Sequence, residues 1–426
     1  MIALRTALAF LLLAVGTQAP SQAPVSPAFR AKAEALVALF RGRTVPERLF
    51  SKAFLAQVPA AQVNSISKQL TDQLGQARTV SRIEAQSATR GNVVLEFDRG
   101  TLQLNLAVGA AAPHWIEGLL VTGTELKGDS LAVVVKELKA LPGQTAFAVA
   151  KLDGAAPHLI ASHEPGRAMA IGSAFKLFLL AELSRSVAAG ERTWSDVAAL
   201  DRRSLPSGFL QSWPKGAPLT FYTLAALMIS QSDNSATDSL LHALGREKVE
   251  ALLPAIGVKA ADRNRPFLAT MEAFALKAGR NGAARKGWAQ ASEGERRAML
   301  PSLAATPPDL IDPAKLIGAP NGIDTIEWFA SAEDLVRTMD WLRRNGGSQA
   351  LEILTINPGI GSGVASQYDY LGYKGGSEIG VINMTFLVRT KAGGWHVVSG
   401  SWNNPKARLD EQKFVALMTR AVSLIR

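Results

Sequence analysis

From Gly128 to the C-terminus the apolar spacing changes period twice, and that order restricts the possible fold more than any other feature of the chain. Residues 130–141 read as a helix, and Phe147–Leu152 and His158–Ser162 as two strands around a turn at Asp153-Gly154. The spacing is then helical from about residue 173 to 345. Strand patterns return near 367–374, 379–389 and 395–401. A closing helix, 409–425, carries Phe414, Leu417, Met418, Val422 and Ile425 on one face. Strands at both ends with helices between predict one antiparallel sheet flanked by a helical region, its first and last strands being neighbours.

Residues before 126 follow a different plan. Thr6 to Val15 is a short apolar run after one basic residue, Arg5, too short to span a bilayer, with small residues near Ala19-Pro20-Ser21. Residues 1–21 therefore read as a secretory signal peptide, which predicts export to the periplasm in a Gram-negative cell and no stable membrane anchor. Residues 22–27, rich in Pro and Ser, read as a linker. Over 28–125, helical spacing (Leu36, Leu39 and Phe40, then Val63, Ile66, Leu70 and Leu74) is interrupted at Pro46 and Pro59. Alternation follows at Val94–Phe97 and Leu102–Leu106, with a further apolar run at Trp115–Val121. Helices followed by consecutive strands predict a small α+β domain. Residues 126–426 form the second domain, and 278–320, rich in Ala, Arg, Gly and Pro, read as an insert or long loop.

Composition removes several chemistries. The chain has no cysteine, so disulfides, thiolate nucleophiles and thiolate metal sites are excluded. Its five histidines, at 114, 158, 163, 242 and 396, form no i,i+4 pair, so no metal site is expected. The net charge of +10 favours anionic or carboxylated partners. The basic residues are dispersed without interleaved aromatics, which argues against nucleic acid.

Three short strings then stand in order: Ser173-Ala174-Phe175-Lys176, Ser232-Asp233-Asn234 and Lys374-Gly375-Gly376-Ser377. Ser173 opens an apolar helix, where free N–H groups favour negative charge, and Lys176 lies one turn on along the same face. A lysine kept neutral by burial and positive neighbours can take a serine proton. Ser232-Asp233-Asn234 breaks two apolar helical stretches and suits a loop lining a cleft. Lys374 and the glycines sit within a strand pattern, as a bulge or a place of close approach by a ligand. Each string alone also reads as ordinary structure: an N-cap with a surface lysine, a capping turn, and a lysine beside a Gly-Gly turn. Two further S-x-x-K matches, Ser65–Lys68 and Ser212–Lys215, read as chance.

Together the strings resemble the S-x-x-K, S-D-N and K-T-G motifs of class A β-lactamases and related penicillin-binding proteins. The resemblance covers roughly residues 128–426 and includes Pro218–Asp238 and Ala330–Leu335. It implies an α/β, β-lactamase-like serine hydrolase domain that needs no cofactor. Ser173 would be the nucleophile, Lys176 the general base and Ser232 a proton relay. Asn234, Lys374, Gly376 and Ser377 would hold a small-molecule or peptidoglycan-like substrate through its carboxylate, with the N–H groups of Ser173 and Ser377 as an oxyanion hole. The two-domain layout is similar to the β-lactamase-like group of clavulanic acid biosynthesis, whose first domain resembles the steroid-isomerase (NTF2-like) fold. Two departures stand out. Lys-Gly-Gly replaces Lys-Thr-Gly, and no E-x-x-L-N string supplies a glutamate for the deacylating water, the nearest candidate being Glu272. The implied activity is β-lactam hydrolysis through an acyl-enzyme. The alternatives are a D,D-peptidase or esterase with slow deacylation, and a silent binding protein.

Overall fold

The structure is a computed structural model that describes residues 24–279 and 282–425, so the signal-peptide expectation over 1–21 lies outside the described residues. The chain divides into two compact units, up to Lys127 and from Gly128.

In the first unit, helix α1 (Pro27–Phe40) starts at Ser26, whose hydroxyl accepts from Phe29 N, with Pro27 in the first turn, where its missing N–H costs nothing. Helix α2 spans Ala60–Leu74. Both pack on an antiparallel meander, β1 (Ala77–Ala85), β2 (Arg90–Phe97), β3 (Gly100–Val108) and β4 (Ile116–Leu126), in that spatial order. Phe29, Leu36, Phe97, Leu102 and Leu74 are fully buried between the layers. Strand β1 lies beyond the expected set. It is an edge strand with two register shifts, and its residues show no clean alternation for a sequence pattern to reveal.

The second unit carries a five-stranded antiparallel sheet. Its strands are β5 (Gln144–Lys151), β6 (His158–His163), β7 (Tyr370–Glu378), β8 (Val381–Arg389) and β9 (Trp395–Asn403). The spatial order is β7-β8-β9-β5-β6, so the first strand of the unit and the last pair directly, with Val149 opposite Val398. Both faces are covered. Phe147, Phe386 and Trp402 pack under the closing helix, while Ala148, Leu387 and Val397 face the helical region. The chain therefore returns to its own sheet only after the helical region is built, which places strand β7 at the edge beside those helices.

Residues 278–320, expected as an insert or long loop, are largely helical and not a long loop. Helices Gly282–Gln290 and Glu293–Ala304 occupy much of that span. The second is closed by a capping box in which Ser292 and Glu295 satisfy each other's N–H groups, and it buries Leu300 and Leu303. An Ala- and Arg-rich composition is compatible with helix, and Gly287 and Gly294 are exposed. No helix among the described residues is long and apolar enough to cross a membrane.

The closing helix (Glu411–Ser423) is the main cover of one sheet face, and Phe414 on it is fully buried against Trp402. Phe414→Ala should lower the unfolding free energy of this unit by about 3–5 kcal/mol. Urea denaturation followed by tryptophan fluorescence measures it, and a loss below about 1 kcal/mol would contradict this packing.

Candidate active site

Short-range geometry first sets the direction of Ser173. Met169–Ala170 pairs with Phe329–Ala330, and Ile171 N donates to Trp328 O at 3.1 Å. Gly172 then takes φ +48, a left-handed conformation that turns the chain into a 3-10 turn, Gly172–Phe175. Helix Lys176–Ala188 continues from it. Phe175 stacks on Trp328 with centroids 3.7 Å apart, which holds the turn from behind. Ser173 thus stands at the start of a helical segment, one turn before Lys176.

The Lys176 amine is the centre of the site. It is fully buried, and its Nζ lies 3.2 Å from Ser173 Oγ and 3.1 Å from Ser232 Oγ. It also donates to Ser232 O and to Asn234 Oδ1, each at 2.7 Å. Both of those partners can only accept, so they consume two N–H donors. In a neutral amine the lone pair is what remains, and it faces the two hydroxyls. Burial holds the Lys176 pKa well below the ordinary lysine value, and the charge of Lys374 pushes the same way.

Lys374 closes the other side. Its Nζ donates to Gly375 O at 2.7 Å and lies 3.1 Å from Ser232 Oγ, so that hydroxyl bridges the two lysines. Burial lowers Lys374 to about 7. Ser232 itself has φ +53, an uncommon conformation for a residue with a Cβ. The local fold imposes it. The Ser232 carbonyl is turned inward to Lys176 and also accepts from Ser207 Oγ at 2.6 Å. Asp233 caps the helix Asn234–Leu244 through Ala236 N and also accepts from Phe209 N and Leu210 N. At Gly208 (φ +88) any Cβ would collide with that carboxylate.

Asn234 has a partner within the protein. Its Oδ1 holds Lys176 and its Nδ2 donates to Leu205 O at 3.0 Å, so the amide orients the amine. The Gly-Gly pair differs from expectation: β7 pairs with β8 without a bulge, Gly376 opposite Asn383. The close approach there is by the chain itself, since a Cβ on Gly376 would strike the Ile171 carbonyl and Ser173 N. That contact brings exposed Ser377 alongside the nucleophile turn, its N near Gly172. Ser173, Ser232, Lys374, Gly376 and Ser377 line one cleft of about 500 Å³, joined by Ser207 and Asn357. Ser207 was not legible as a site residue, because Leu205-Pro206-Ser207-Gly208 carries only turn chemistry.

Glu272 does not reach this cleft. Arg246 grips its carboxylate at 2.7 and 3.0 Å, and it accepts from Ala269 N at 2.7 Å, capping the helix Thr270–Ala278. Among the described residues no Asp or Glu side chain hydrogen-bonds Ser173, Lys176 or Ser232. Glu411, which also borders the cleft, starts the helix on the opposite face of the sheet. The two other S-x-x-K strings stay on surfaces. Lys68 pairs with Asp72, and Ser212 and Lys215 are exposed.

A serine, two buried lysines and a bridging hydroxyl meet at the head of a helix, an arrangement suited to serine acyl transfer. The sequence model of the Beta-lactamase enzyme family matches residues 130–415, and the chain belongs to that family. Three solved structures are similar to the second unit. A β-lactamase from Sphaerobacter thermophilus is 21% identical with a TM-score of 0.48, covering 69% of this chain and 94% of its own. A mutant of PBP-A, solved as an acyl-enzyme complex with penicillin G, is 14% identical with a TM-score of 0.47, over 69% and 93%. A β-lactamase from Xanthomonas campestris pv. campestris is 15% identical with a TM-score of 0.47, over 70% and 96%. No curated protein matches the sequence. The family assignment rests on the sequence match.

Gly376→Ala should push the end of β7 away from Ser173 and lower the rate of serine acylation at least tenfold, since the oxyanion donors must keep their spacing. Stopped-flow labelling of the variant, with circular dichroism as a folding control, checks this. An unchanged rate would mean that the contact is not part of the site.

Proposed function

We propose that this chain is an exported serine hydrolase that Ser173 makes acylable by β-lactams and by carboxylate-bearing peptide-like amides. In this reading the acyl-enzyme forms readily and hydrolyses slowly. The observation that carries it is the Lys176 amine, whose two donors are held by Ser232 O and Asn234 Oδ1 while its remaining position faces Ser173 Oγ. Lys176 takes the proton as Oγ attacks the carbonyl carbon. Ser232 Oγ, between Lys176 and Lys374, passes a proton to the departing nitrogen. Lys374 attracts the substrate carboxylate, Ser377 adds a hydroxyl beside it, and the Ser173 and Ser377 N–H groups receive the developing oxyanion.

The engagement of Glu272 by Arg246 supports slow deacylation, because attack by water on the ester needs a base of its own. This favours penicillin-binding behaviour over efficient β-lactamase turnover. The helices-on-meander order of residues 28–125 supports an NTF2-like first domain, and the apolar N-terminal run supports a signal peptide and a periplasmic destination.

Incubation of the mature protein with a fluorescent penicillin should give a stable covalent label that Ser173→Ala abolishes. Lys176→Ala should slow labelling by about 10²–10⁴-fold. Rapid release of label with hydrolysis of a chromogenic cephalosporin would establish turnover instead. Absence of both would overturn the enzymatic reading.

The pH dependence has a definite sign. Acylation needs neutral Lys176, so its rate constant falls as pH drops through the depressed pKa of that residue. Lys374 is charged below about 7 and loses its charge as pH rises through that value. Affinity for a carboxylate-bearing penicillin should therefore weaken on the alkaline side. The corresponding methyl ester should lack that weakening, and identical profiles for acid and ester would refute the role of Lys374.

A further inference from the structure

A buried ionic triad stands just beyond the oxyanion strand. Lys277, on the helix Thr270–Ala278, pairs with Glu327, and it donates to both carboxylate oxygens of Glu378 at 2.6 Å. Lys277 and Glu327 are almost wholly buried, whereas the Glu378 side chain keeps 27% of its surface. Each member belongs to a different segment around Ser173. Glu378 follows Ser377 and ends strand β7. Glu327 precedes Trp328, which stacks on Phe175 and accepts from Ile171 N. Lys277 belongs to the helix whose first turn holds Asp238 through Thr270 and Met271.

The side-chain alternation of a strand puts Lys374, Gly376 and Glu378 on one face of β7. On that face Lys374 meets Ser232, Gly376 meets the nucleophile turn, and Glu378 meets Lys277. Strand β7 is at the sheet edge, with no further strand to hold its outer side. Its last residues, which carry the Ser377 N–H, are held on the inner side by β8 and on the outer side by contacts such as Glu378 with Lys277.

We infer that the Lys277–Glu327–Glu378 triad is a positioning device that clamps the end of β7 to the Ser173 turn and so sets the distance between the two oxyanion donors. The inference rests on the reading of Ser173 as the acylated nucleophile. Desolvation and the Glu327 charge beside it raise the Glu378 pKa, and the Lys277 ammonium between the two acids opposes that shift. Removing Lys277 leaves the buried Glu327 and the partly exposed Glu378 without the donor that joins them. Removing the Glu378 carboxylate frees the strand end while leaving the Lys277–Glu327 pair in place.

Glu378→Ala and Lys277→Met test the clamp, with Glu378→Gln as the conservative control that still accepts from Lys277. Penicillin labelling as a function of concentration separates the initial binding constant from the acylation rate constant. Hydrogen exchange of the peptide containing 376–378 reports the strand end without any substrate. The expected result for Glu378→Ala is roughly tenfold slower acylation at saturation, near-constant initial binding and faster exchange at 376–378. Glu378→Gln should restore most of the rate. Acylation within twofold of the parent together with unchanged exchange in folded Glu378→Ala would overturn the clamp. Should Lys277→Met fail to fold, the Glu378 pair decides alone. If the parent protein takes no label, the reading of Ser173 fails, and the exchange measurement still judges the clamp.

Discussion

Everything in the catalytic unit is arranged around one buried amine. A lysine without a carboxylate partner is tolerated in a low-dielectric interior only when it is neutral and its N–H groups are satisfied. Two acceptors, the Ser232 carbonyl and Asn234 Oδ1, satisfy the N–H groups of Lys176, and burial lowers its pKa well below the ordinary lysine value. The strained φ of Ser232, the cap of Asp233 and the hydrogen bond from Ser207 all follow from aiming that carbonyl inward. The amine then has its remaining capacity directed at Ser173 Oγ, and Lys374 adds a positive field that opposes protonation.

Forming and breaking an acyl-enzyme make separate demands on such a site. Formation needs a base at the serine, a proton for the leaving group and two N–H donors. Two side chains and two main-chain N–H groups of the right type stand near these positions. Breakdown needs a base that reaches water on the face of the ester, and the side chain nearest to that role in sequence, Glu272, is locked to Arg246 as a structural ion pair.

The legible parts were those carried by local pattern. Alternation at 147–152 and 395–401 and the 3.6-residue spacing of 409–425 marked strands and a helix whose core faces had to meet, and β5 does pair with β9. Helices at 282–304 escaped because their buried residues, Trp288, Leu300 and Leu303, are sparse among Ala and Arg. Strand β1 escaped because its edge position and register shifts remove the two-residue alternation. Lys277 read as one more basic residue in a cationic chain, because its partners lie 50 and 101 residues away.

By itself the sequence determined the chemistry available: a serine one helical turn before a lysine, a second hydroxyl, a second lysine in a strand, and no thiol. Those follow from residue type and short spacing, which covalent geometry converts directly into proximity. The tertiary structure decided the burial and the hydrogen-bond partners of each group. It buried Lys176, gave the amide of Asn234 to that amine, bound Glu272 to Arg246 and pressed Gly376 against the nucleophile turn. Desolvation and hydrogen-bond partnering depend on which distant segments converge, and no local pattern of residues encodes that convergence.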